Sequence, residues 1–367
     1  MRVGLDVYQA GHAYGGIARY VRSLVPALTA AAPSDQFILF SNHLRPPEAE
    51  WRYESGNARR VNLRLPRRLA QTCWDYLGWP PIETVIGAVD VFHGTHFMLP
   101  AVRAARRVLT VHDVMFLRHP ELFADRSANE RWHRKELLTS LDRTDMVMAD
   151  SQCTRSDLME VLDYPKERIR VVLLGVEERF FATSNQAVAD VAVRYGLERP
   201  YLVFLVGTPE PRKNLRRTVE AARLAAPDLP LVILGRAAPI RSFLGGDQPG
   251  VRLPGAIPDA DLPLLLRGAE LALYPSLYEG FGLPALEALA AGVPLITSDR
   301  GSLPEVVGDA AVLVDPESVE AMAHAIRRLR NDTERRARFV ERGVARAREL
   351  SWRRTAEQVL QVYRELV

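Results

Sequence analysis

Short apolar runs alternate with helical segments along the whole chain of 367 residues. Runs rich in Val, Ile and Leu, with no alternating polar residues, are typical of parallel strands buried on both faces. The helical patterns between them, such as GIARYVRSLVPALTAAA, complete βαβ units. The sequence therefore predicts the α/β class, with doubly wound parallel sheets. Besides the N-terminal MRVGLDVYQAG, the strand-like runs lie at 37–40, 89–94, 106–113, 145–150, 168–175, 201–207, 229–235, 251–255, 270–276, 293–299 and 310–315.

The length of the chain favours two domains, because one core rarely serves so many residues. Strand signals fade over 176–200 and resume directly after Pro200. We expect two Rossmann-like domains, 1–178 and 179–350, facing each other across a cleft. The last segment, 351–367, reads as an amphipathic helix with a Ser cap that packs back on the first domain.

Composition excludes several classes of protein. A hydrophobic fraction of 47% and a charged fraction of 25% are ordinary for a globular protein, and no apolar run approaches the ~18–20 residues of a membrane span. Two cysteines, Cys73 and Cys153, make neither a disulfide framework nor a metal cluster, so we expect a cytoplasmic protein. Acids interrupt the Arg-rich stretch 327–348, which favours a solvated helix face over nucleic-acid binding.

The stretch YEGFGLPALEAL, residues 278–289, carries two carboxylates around a turn. Gly280 and Gly282 allow the backbone to approach a ligand closely, and Pro284 suits the first turn of a helix. Glu279 would then point at the ligand from the loop, and Glu287 from one turn into the helix. Paired carboxylates of this kind accept hydrogen bonds from sugar hydroxyls. The alternative is a plain helix start at which the dipole favours acids.

Arg212 and Lys213 in GTPEPRKNL follow a strand at the predicted entry to a helix. The helix dipole disfavours cations at that position, and lysine is rare in this chain, with three against 45 arginines. Two cations beside a helix start suit a diphosphate better than a solvated surface. No Asp-X-Asp loop is placed to hold a metal, since DADL at 259–262 reads as a loop leading into a helix.

Two further groups of candidates lie in the first half. Gly15 and Gly16 follow the first strand, where a plain turn is an equal interpretation. His112 and Asp113 end the apolar run RRVLTV, which places them at the carboxyl end of a strand, where ligands bind in such sheets. His93 and His96 follow another strand and are weaker candidates for the acceptor side.

Together these motifs resemble the retaining GT-B glycosyltransferases of family 4, in which two glutamates are separated by seven residues. GGIARY, VHDVMF, ADSQCTRSDL and GSLPEVVGDAAVLVDP extend the resemblance over essentially the whole chain. It implies that Glu279 binds hydroxyls of the donor sugar and Glu287 the nucleotide ribose. It also implies that the diphosphate lies against Arg212 and Lys213, and that the backbone N–H groups of Phe281, Gly282 and Leu283 hold the sugar and diphosphate.

The same resemblance places His112 beside the donor hexose, near its C6 hydroxyl, with Asp113 next to it, and the Gly15–Gly16 loop at the acceptor side. Residues 1–178 would then serve the acceptor and 179–350 the nucleotide sugar, with His112, Arg212, Lys213 and Glu279 as the catalytic set. The implied reaction is retaining and metal-independent, needs no cofactor, and transfers an α-hexose to an acceptor hydroxyl in glycan or surface-polysaccharide synthesis. VHDVMFLRHPELF is similar to bacterial polysaccharide mannosyltransferases, which favours GDP-mannose.

Other interpretations of the same residues stay open. UDP or another base could carry a different hexose or deoxyhexose. A GT-B-fold epimerase, a phosphorylase and a non-catalytic sugar-nucleotide sensor are further alternatives, although a phosphorylase requires one of the three lysines for its pyridoxal phosphate.

The stretch 59–81 combines five arginines with Trp74, Tyr76 and Trp79. Such a composition is typical of peripheral contact with a membrane surface, here the inner face, and related enzymes use lipid-linked acceptors. The alternative is an ordinary packed helix and loop.

Overall fold

The computed structural model describes residues 1–12, 15–45, 51–122, 128–181 and 184–367, without the side chains of Arg67 and residues 128–130. Phe123, the last residue of the VHDVMFLRHPELF stretch, lies outside these ranges. The chain forms two compact units. Unit 1 contains three segments: Met1–Arg118, a second segment that ends at Gly175, and Trp352–Val367. Unit 2 contains Val176–Ser351 and a short segment that begins at His119.

Unit 1 is built on a parallel sheet of seven strands in the order β3-β2-β1-β4-β5-β6-β7. Its strands are β1 (Arg2–Asp6), β2 (Gln36–Ser41), β3 (Ala58–Asn62), β4 (Val91–Gly94), β5 (Arg106–Val111), β6 (Met146–Ala149) and β7 (Ile169–Val171). Its helices are α1 (Gly16–Ala31), α2 (Arg67–Thr72), α3 (Glu83–Ile86), α4 (Met115–Arg118), α5 (Ala128–Arg143), α6 (Gln152–Leu162) and, at the end of the chain, α15 (Trp352–Leu366).

Unit 2 is built on a parallel sheet of six strands in the order β10-β9-β8-β11-β12-β13. Its strands are β8 (Leu202–Gly207), β9 (Leu231–Gly235), β10 (Val251–Arg252), β11 (Leu271–Tyr274), β12 (Leu295–Ser298) and β13 (Val312–Val314). Its helices are α7 (Asn185–Arg194), α8 (Leu215–Ala225), α9 (Ala237–Leu244), α10 (Leu262–Arg267), α11 (Leu283–Ala290), α12 (Leu303–Val307), α13 (Val319–Arg330) and α14 (Thr333–Glu349).

The predicted α/β class is confirmed, and the central strands show why apolar runs were a sound signal. Every residue of β4, β6, β11 and β12 is buried, as expected for strands covered on both faces. The exception is β3, which the sequence did not predict as a strand. It lies at the sheet edge and its residues Ala58–Asn62 are mostly exposed, so no apolar run marks it.

The C-terminal helix α15 packs within unit 1. It lies against α1, and Thr355 Oγ1 donates a hydrogen bond of 2.8 Å to the Leu173 carbonyl oxygen. The division between the units falls between Gly175 and Val176 and between Ser351 and Trp352. Within the described parts of the chain, no helix is both long and apolar enough to cross a bilayer.

Candidate active site

In unit 2, the predicted site residues meet where the strand order of the sheet reverses. β8 and β11 are neighbours there, with β9 beyond one and β12 beyond the other. Arg212 and Lys213 follow β8, and Glu279 follows β11. The carboxyl ends of strands at such a reversal form the crevice in which doubly wound sheets bind ligands.

The Glu279 carboxylate is buried and accepts three hydrogen bonds. Arg212 Nη1 donates to Oε2 at 2.5 Å, while Lys213 Nζ and the Tyr274 hydroxyl donate to Oε1 at 2.6 and 2.8 Å. Lys213 Nζ also donates to the Tyr274 hydroxyl oxygen at 2.7 Å, and Arg212 Nε to Glu210 Oε2 at 2.6 Å. Two cations and two carboxylates therefore balance each other.

This arrangement keeps Glu279 ionised. Burial by itself raises the pKa of a carboxyl group, but Arg212 and Lys213 outweigh that effect and lower the pKa of Glu279 to about 2. A carboxylate that is ionised and fixed by two cations is a weak base and a weak nucleophile. It can position a ligand or set the local charge.

The two cations lie directly before α8, at the predicted entry to a helix. They lie in a 3₁₀ turn, Pro211–Lys213, that ends at Asn214 in the left-handed conformation with φ of 58°. The Asn214 amide donates to the carbonyl oxygens of Pro275 and Pro316, at 3.0 and 2.5 Å, and α8 begins only after it. The turn directs both cations towards Glu279.

A close approach of two backbone segments holds Glu279 in place. A Cβ atom on Gly301, whose φ is +60°, would lie 3.0 Å from both the backbone nitrogen and the carbonyl oxygen of Glu279. The next residue, Ser302, donates its hydroxyl to the carbonyl oxygens of Glu279 and Phe281, where the two distances are 2.9 and 2.7 Å. The loop after β12 thus shapes the loop after β11.

The remaining residues of the 278–289 stretch surround the start of α11. Gly282 is the N-cap with φ of 100°, and a Cβ there would lie 2.6 Å from Leu303 Cδ2. Phe281 and Leu283 are buried, and so is Glu287 within the helix. The first turn of a helix leaves backbone N–H groups without intrahelical partners, which suits hydroxyl or phosphate oxygens.

In unit 1, His112 is fixed through both ring nitrogens. Nδ1 lies 2.6 Å from Asp150 Oδ2, and Nε2 lies 3.0 Å from the Thr95 carbonyl oxygen. Because a carbonyl oxygen only accepts, Nε2 carries a proton. Burial lowers the pKa of His112, but Asp150 more than reverses this effect, so the pKa of the ring is raised. His112 therefore donates from Nε2 to Thr95. Its ring is held by Asp150, the residue that follows the neighbouring strand β6.

His93 is fully buried and serves the fold. Its Nδ1 lies 2.6 Å from the Tyr363 hydroxyl and its Nε2 lies 2.7 Å from Thr110 Oγ1. The weaker sequence interpretation of His93 as an acceptor-side residue is therefore wrong. His96 is partly exposed.

The other predicted residues of unit 1 lie at element starts. Gly15 is the N-cap of α1 with φ of 125°, Gly16 is the first residue of that helix, and both are exposed. The Asp113 carboxylate accepts a hydrogen bond of 3.1 Å from the backbone N–H of Met115, the first residue of α4.

The sequence did not point to several residues that contact or position Glu279 and His112. Asp150 had a usable signal, because β5 and β6 pair with Val111 opposite Ala149, so the residues that follow them must be neighbours. Glu210 stands two residues before Arg212, and Tyr274 ends β11. Gly301 and Ser302 gave no local signal. Among the described residues, no group of three or more His, Cys, Asp or Glu could hold a metal ion.

Comparisons with known proteins show what the chain is similar to. The family model described as Glycosyltransferase Family 4 matches residues 14–180, and the one described as Glycosyl transferases group 1 matches residues 193–346. The O-antigen chain mannosyltransferase B of Escherichia coli is 32% identical, over 96% of both chains. An MMP alpha-(1->4)-mannosyltransferase of Mycolicibacterium hassiacum is 30% identical over 77% of this chain and 72% of its own.

Solved structures show the fold. Sucrose-phosphate synthase of Thermosynechococcus elongatus superposes with a TM-score of 0.78 at 23% identity, covering 100% of this chain and 99% of its own. The Anabaena protein HepE, solved with UDP and glucose, superposes with a TM-score of 0.74 at 16% identity over 100% of both chains. The fold is thus GT-B, and the chain belongs to glycosyltransferase family 4.

Proposed function

We propose that this glycosyltransferase is a retaining mannosyltransferase that works without a metal ion. It transfers an α-mannose from GDP-mannose to an acceptor hydroxyl of a surface glycan or of its lipid-linked precursor. The observation that carries the proposal is the buried cluster of Arg212, Lys213, Tyr274 and Glu279 at the strand-order reversal of unit 2. The proposed identity of the sugar comes from the names of two relatives, which are both mannosyltransferases.

The cluster supplies the charge that a departing nucleoside diphosphate requires. Arg212 and Lys213 stabilise the negative charge that develops on the diphosphate as the glycosidic bond breaks. Glu279 and Glu210 balance these cations in the structure, so the diphosphate must share them with the carboxylates. Arg212 and Lys213 thus replace a metal ion as the counter-charge.

The same residues support the proposed retaining mechanism without a covalent enzyme intermediate. Glu279 is too firmly held by its cations to attack the sugar, so no covalent enzyme intermediate forms on it. The leaving diphosphate oxygen instead takes the acceptor proton on the face from which it departs. His112 already donates Nε2–H to the Thr95 carbonyl oxygen and faces Asp150 with Nδ1, so its contact with a hexose hydroxyl requires Nε2 to exchange the Thr95 oxygen for that hydroxyl.

The donor is tested by calorimetry of the purified protein, with EDTA present, against GDP, UDP, ADP and dTDP. We expect selective binding of GDP, followed by mannose transfer or slow hydrolysis of GDP-mannose. Selective binding of another base discards the mannose assignment and keeps the reaction class.

Two controls complete this test. Lys213→Ala should weaken GDP binding and raise the barrier to transfer by about 2–4 kcal/mol. Binding that appears only after Mg²⁺ or Mn²⁺ is added contradicts metal independence. Turnover of GDP-mannose to another GDP-hexose, without any acceptor, favours the epimerase alternative.

We also propose an acceptor and a location, the acceptor from the name of one relative. The similarity to an O-antigen mannosyltransferase favours a growing polysaccharide chain as the acceptor. We place the enzyme in the cytoplasm, at the inner face of the membrane, where lipid-linked glycans would present their hydroxyls. The reaction uses a nucleotide sugar as substrate and no cofactor.

A further inference from the structure

The Tyr274 hydroxyl lies inside the Glu279 cluster, between a donor and an acceptor. Lys213 Nζ donates to the Tyr274 oxygen at 2.7 Å, and the Tyr274 hydroxyl donates to Glu279 Oε1 at 2.8 Å. This direction is fixed, because an ammonium group only donates, and the Glu279 carboxylate, with a pKa of about 2, only accepts. Burial and the charge of Glu279 raise the pKa of Tyr274 well above its ordinary value, so the hydroxyl stays neutral.

The backbone and the packing around Tyr274 hold its ring in one place. Tyr274 is the last residue of β11, is 1% exposed, and lies opposite Thr297 of β12 in the parallel ladder. The Thr297 hydroxyl donates to the Tyr274 carbonyl oxygen at 2.8 Å. A Cβ atom on Gly282 would lie 4.0 Å from the Tyr274 ring, so the ring packs beside the start of α11. A phenol held in this way is a rigid support for a flexible neighbour.

Lys213 is the neighbour that requires such a support. Its ammonium group carries three N–H donors on a long stem, whose rotamer freedom is lost when the group is ordered. Among the residues that the structure describes, Tyr274 and Glu279 accept two of these donors, at 2.7 and 2.6 Å. The third N–H is left for a ligand oxygen. With Glu279 as its one acceptor, the ammonium group would rotate about a single hydrogen bond, and the direction of the remaining donors would not be defined.

We propose that Tyr274 is a positioning residue, whose hydroxyl orients the Lys213 ammonium group so that its third N–H faces the diphosphate of the donor. Tyr274 contacts no reacting atom and acts through Lys213. Donors that are oriented before the reaction stabilise developing charge without a cost of reorganisation. The inference rests on the proposed function, which places Lys213 at a diphosphate, and adds the group that prepares this lysine for its role.

Tyr201 provides the matched control in the same sheet. It is fully buried and lies directly before β8, at the amino end of the sheet, whereas Tyr274 lies at the carboxyl end. The Tyr201 hydroxyl donates to the Leu265 carbonyl oxygen at 2.7 Å. Tyr201→Phe therefore removes the same buried hydroxyl as Tyr274→Phe, but at the end of the sheet opposite Lys213.

The test is a double-mutant cycle on turnover of GDP-mannose, with Tyr274→Phe, Lys213→Ala and the two combined. We expect Tyr274→Phe to lower kcat by at least about tenfold and to change the dissociation constant of GDP, measured by calorimetry, less than about threefold. When Lys213 is already alanine, the same substitution should lower kcat less than about twofold, because the lysine that the hydroxyl orients is gone. Tyr201→Phe should lower kcat less than about twofold in either background. Urea unfolding shows whether each variant is folded.

A second measurement reports on Lys213 without any turnover. The chain has three lysines, and acetylation by an N-hydroxysuccinimide ester over a range of pH, followed by peptide mass spectrometry, gives a separate profile for each. Exposed Lys166 is the internal reference. Because the Tyr274 oxygen accepts a hydrogen bond from the charged form of Lys213, its loss favours the neutral amine. Tyr274→Phe should therefore move the midpoint of Lys213 labelling to lower pH and leave the Lys166 profile unchanged.

The charged groups around Lys213 are the same in both proteins of this comparison. Burial and the charge of Arg212 lower the pKa of Lys213, and the carboxylates of Glu279 and Glu210 oppose that effect. Tyr274→Phe changes none of these charges, so a shifted midpoint reports the lost hydroxyl.

An equal loss of kcat from Tyr274→Phe in both Lys213 backgrounds overturns the proposal, because the hydroxyl would then act without the lysine. An unchanged midpoint of Lys213 labelling also overturns it. If the unchanged protein neither binds GDP nor turns over GDP-mannose, the proposed function fails, and the labelling of Lys213 by itself decides whether Tyr274 holds this lysine.

Discussion

At the scale of single residues, the candidate site is governed by charge balance around Glu279. Motif and strand position assigned Arg212, Lys213 and Glu279 to one ligand site, but did not predict that they neutralise each other. That pairing depends on Asn214, whose left-handed conformation ends the 3₁₀ turn and so orients the two cations towards Glu279. A pattern of residue types predicts which groups assemble, and the pairing among them follows from loop geometry.

Glu279→Gln should destabilise the protein and increase the stabilisation that it gains from bound nucleotide. The substitution leaves two buried cations without their carboxylate, which costs about 3 kcal/mol of unfolding free energy. GDP should restore more stability in the variant than in the unchanged protein, because the diphosphate replaces the lost charge. Transfer should fall by at least about a hundredfold. Denaturant unfolding with and without GDP, together with a transfer assay, measures these effects.

Glu210→Gln is the matched control, because Glu210 contacts the same arginine and is more exposed, with 35% of its side chain accessible. Its loss should cost under about 1 kcal/mol. Equal costs for the two variants would contradict the central place of Glu279.

Asp150→Asn should change the pH dependence of stability and catalysis through His112. The raised pKa of His112 means that its contribution to stability is fully present below about pH 6.5 and is lost as the pH rises through the folded-state pKa. Removing the carboxylate should abolish that loss. NMR titration of the His112 ring nitrogens and denaturation at pH 5.5, 7 and 8.5 measure this effect.

The surroundings of His112 define what the Asp150 experiment can show. Asp113 raises the pKa of His112, buried His93 is also close, and the Tyr20 ring packs edge-on at 4.8 Å. All three stay unchanged in the Asp150 variant. An unaltered titration of His112 would show that Asp150 does not control its proton.

At the scale of elements, sequence predicted the buried strands and missed the features defined by contacts. Apolar runs located the central strands because burial on both faces requires them. The edge strand β3 has no such run, and the 3₁₀ turn at Arg212 resembles a helix start in composition. The Gly301–Ser302 turn depends on its distance from Glu279, which no local pattern encodes.

Gly301→Ala should destabilise unit 2 more than Gly245→Ala. Both glycines have positive φ, +60° and +80°, so both substitutions carry a backbone strain of about 1 kcal/mol. At Gly301 the new methyl group also presses on another backbone, 3.0 Å from Glu279, whereas nothing lies within 4 Å at Gly245. We expect an additional 1–2 kcal/mol at Gly301, of the order of overpacking costs, and weaker nucleotide binding.

Urea unfolding and GDP calorimetry on both variants measure the difference. Because Gly245 ends α9 with a left-handed backbone and open space around it, it isolates the contact with Glu279. Equal losses of stability and equal GDP affinity would mean that the Gly301 turn does not shape the site.

At the scale of the whole chain, the C-terminal helix closes unit 1 through a buried polar chain. Tyr363 of α15 bonds to His93 of β4, His93 to Thr110 of β5, and Thr110 to Tyr20 of α1. Sequence placed the last helix on the first domain by resemblance. The hydrogen-bond partner of Tyr363 could not be predicted from the sequence, because His93 lies 270 residues away along the chain.

His93 should make unit 1 sensitive to acid. Burial and the charge of His112 lower the pKa of His93 to about 3. The folded state therefore keeps this ring neutral, while the unfolded state takes up a proton below about pH 6.5, so stability falls as the pH drops through this window. His93→Gln should cost about 2 kcal/mol at pH 7, through weakened hydrogen bonds, and should lose less stability than the unchanged protein between pH 7 and 5.

Urea unfolding at pH 7 and 5, followed by tryptophan fluorescence, measures this difference. Glu279 stays ionised over that range because its pKa is about 2, and His112 shifts stability in the opposite sense in both proteins. His324→Gln, at an exposed histidine of unit 2, should leave the acid response unchanged. If the His93 variant and the unchanged protein lose equal stability, the buried polar chain is not what makes α15 sensitive to acid.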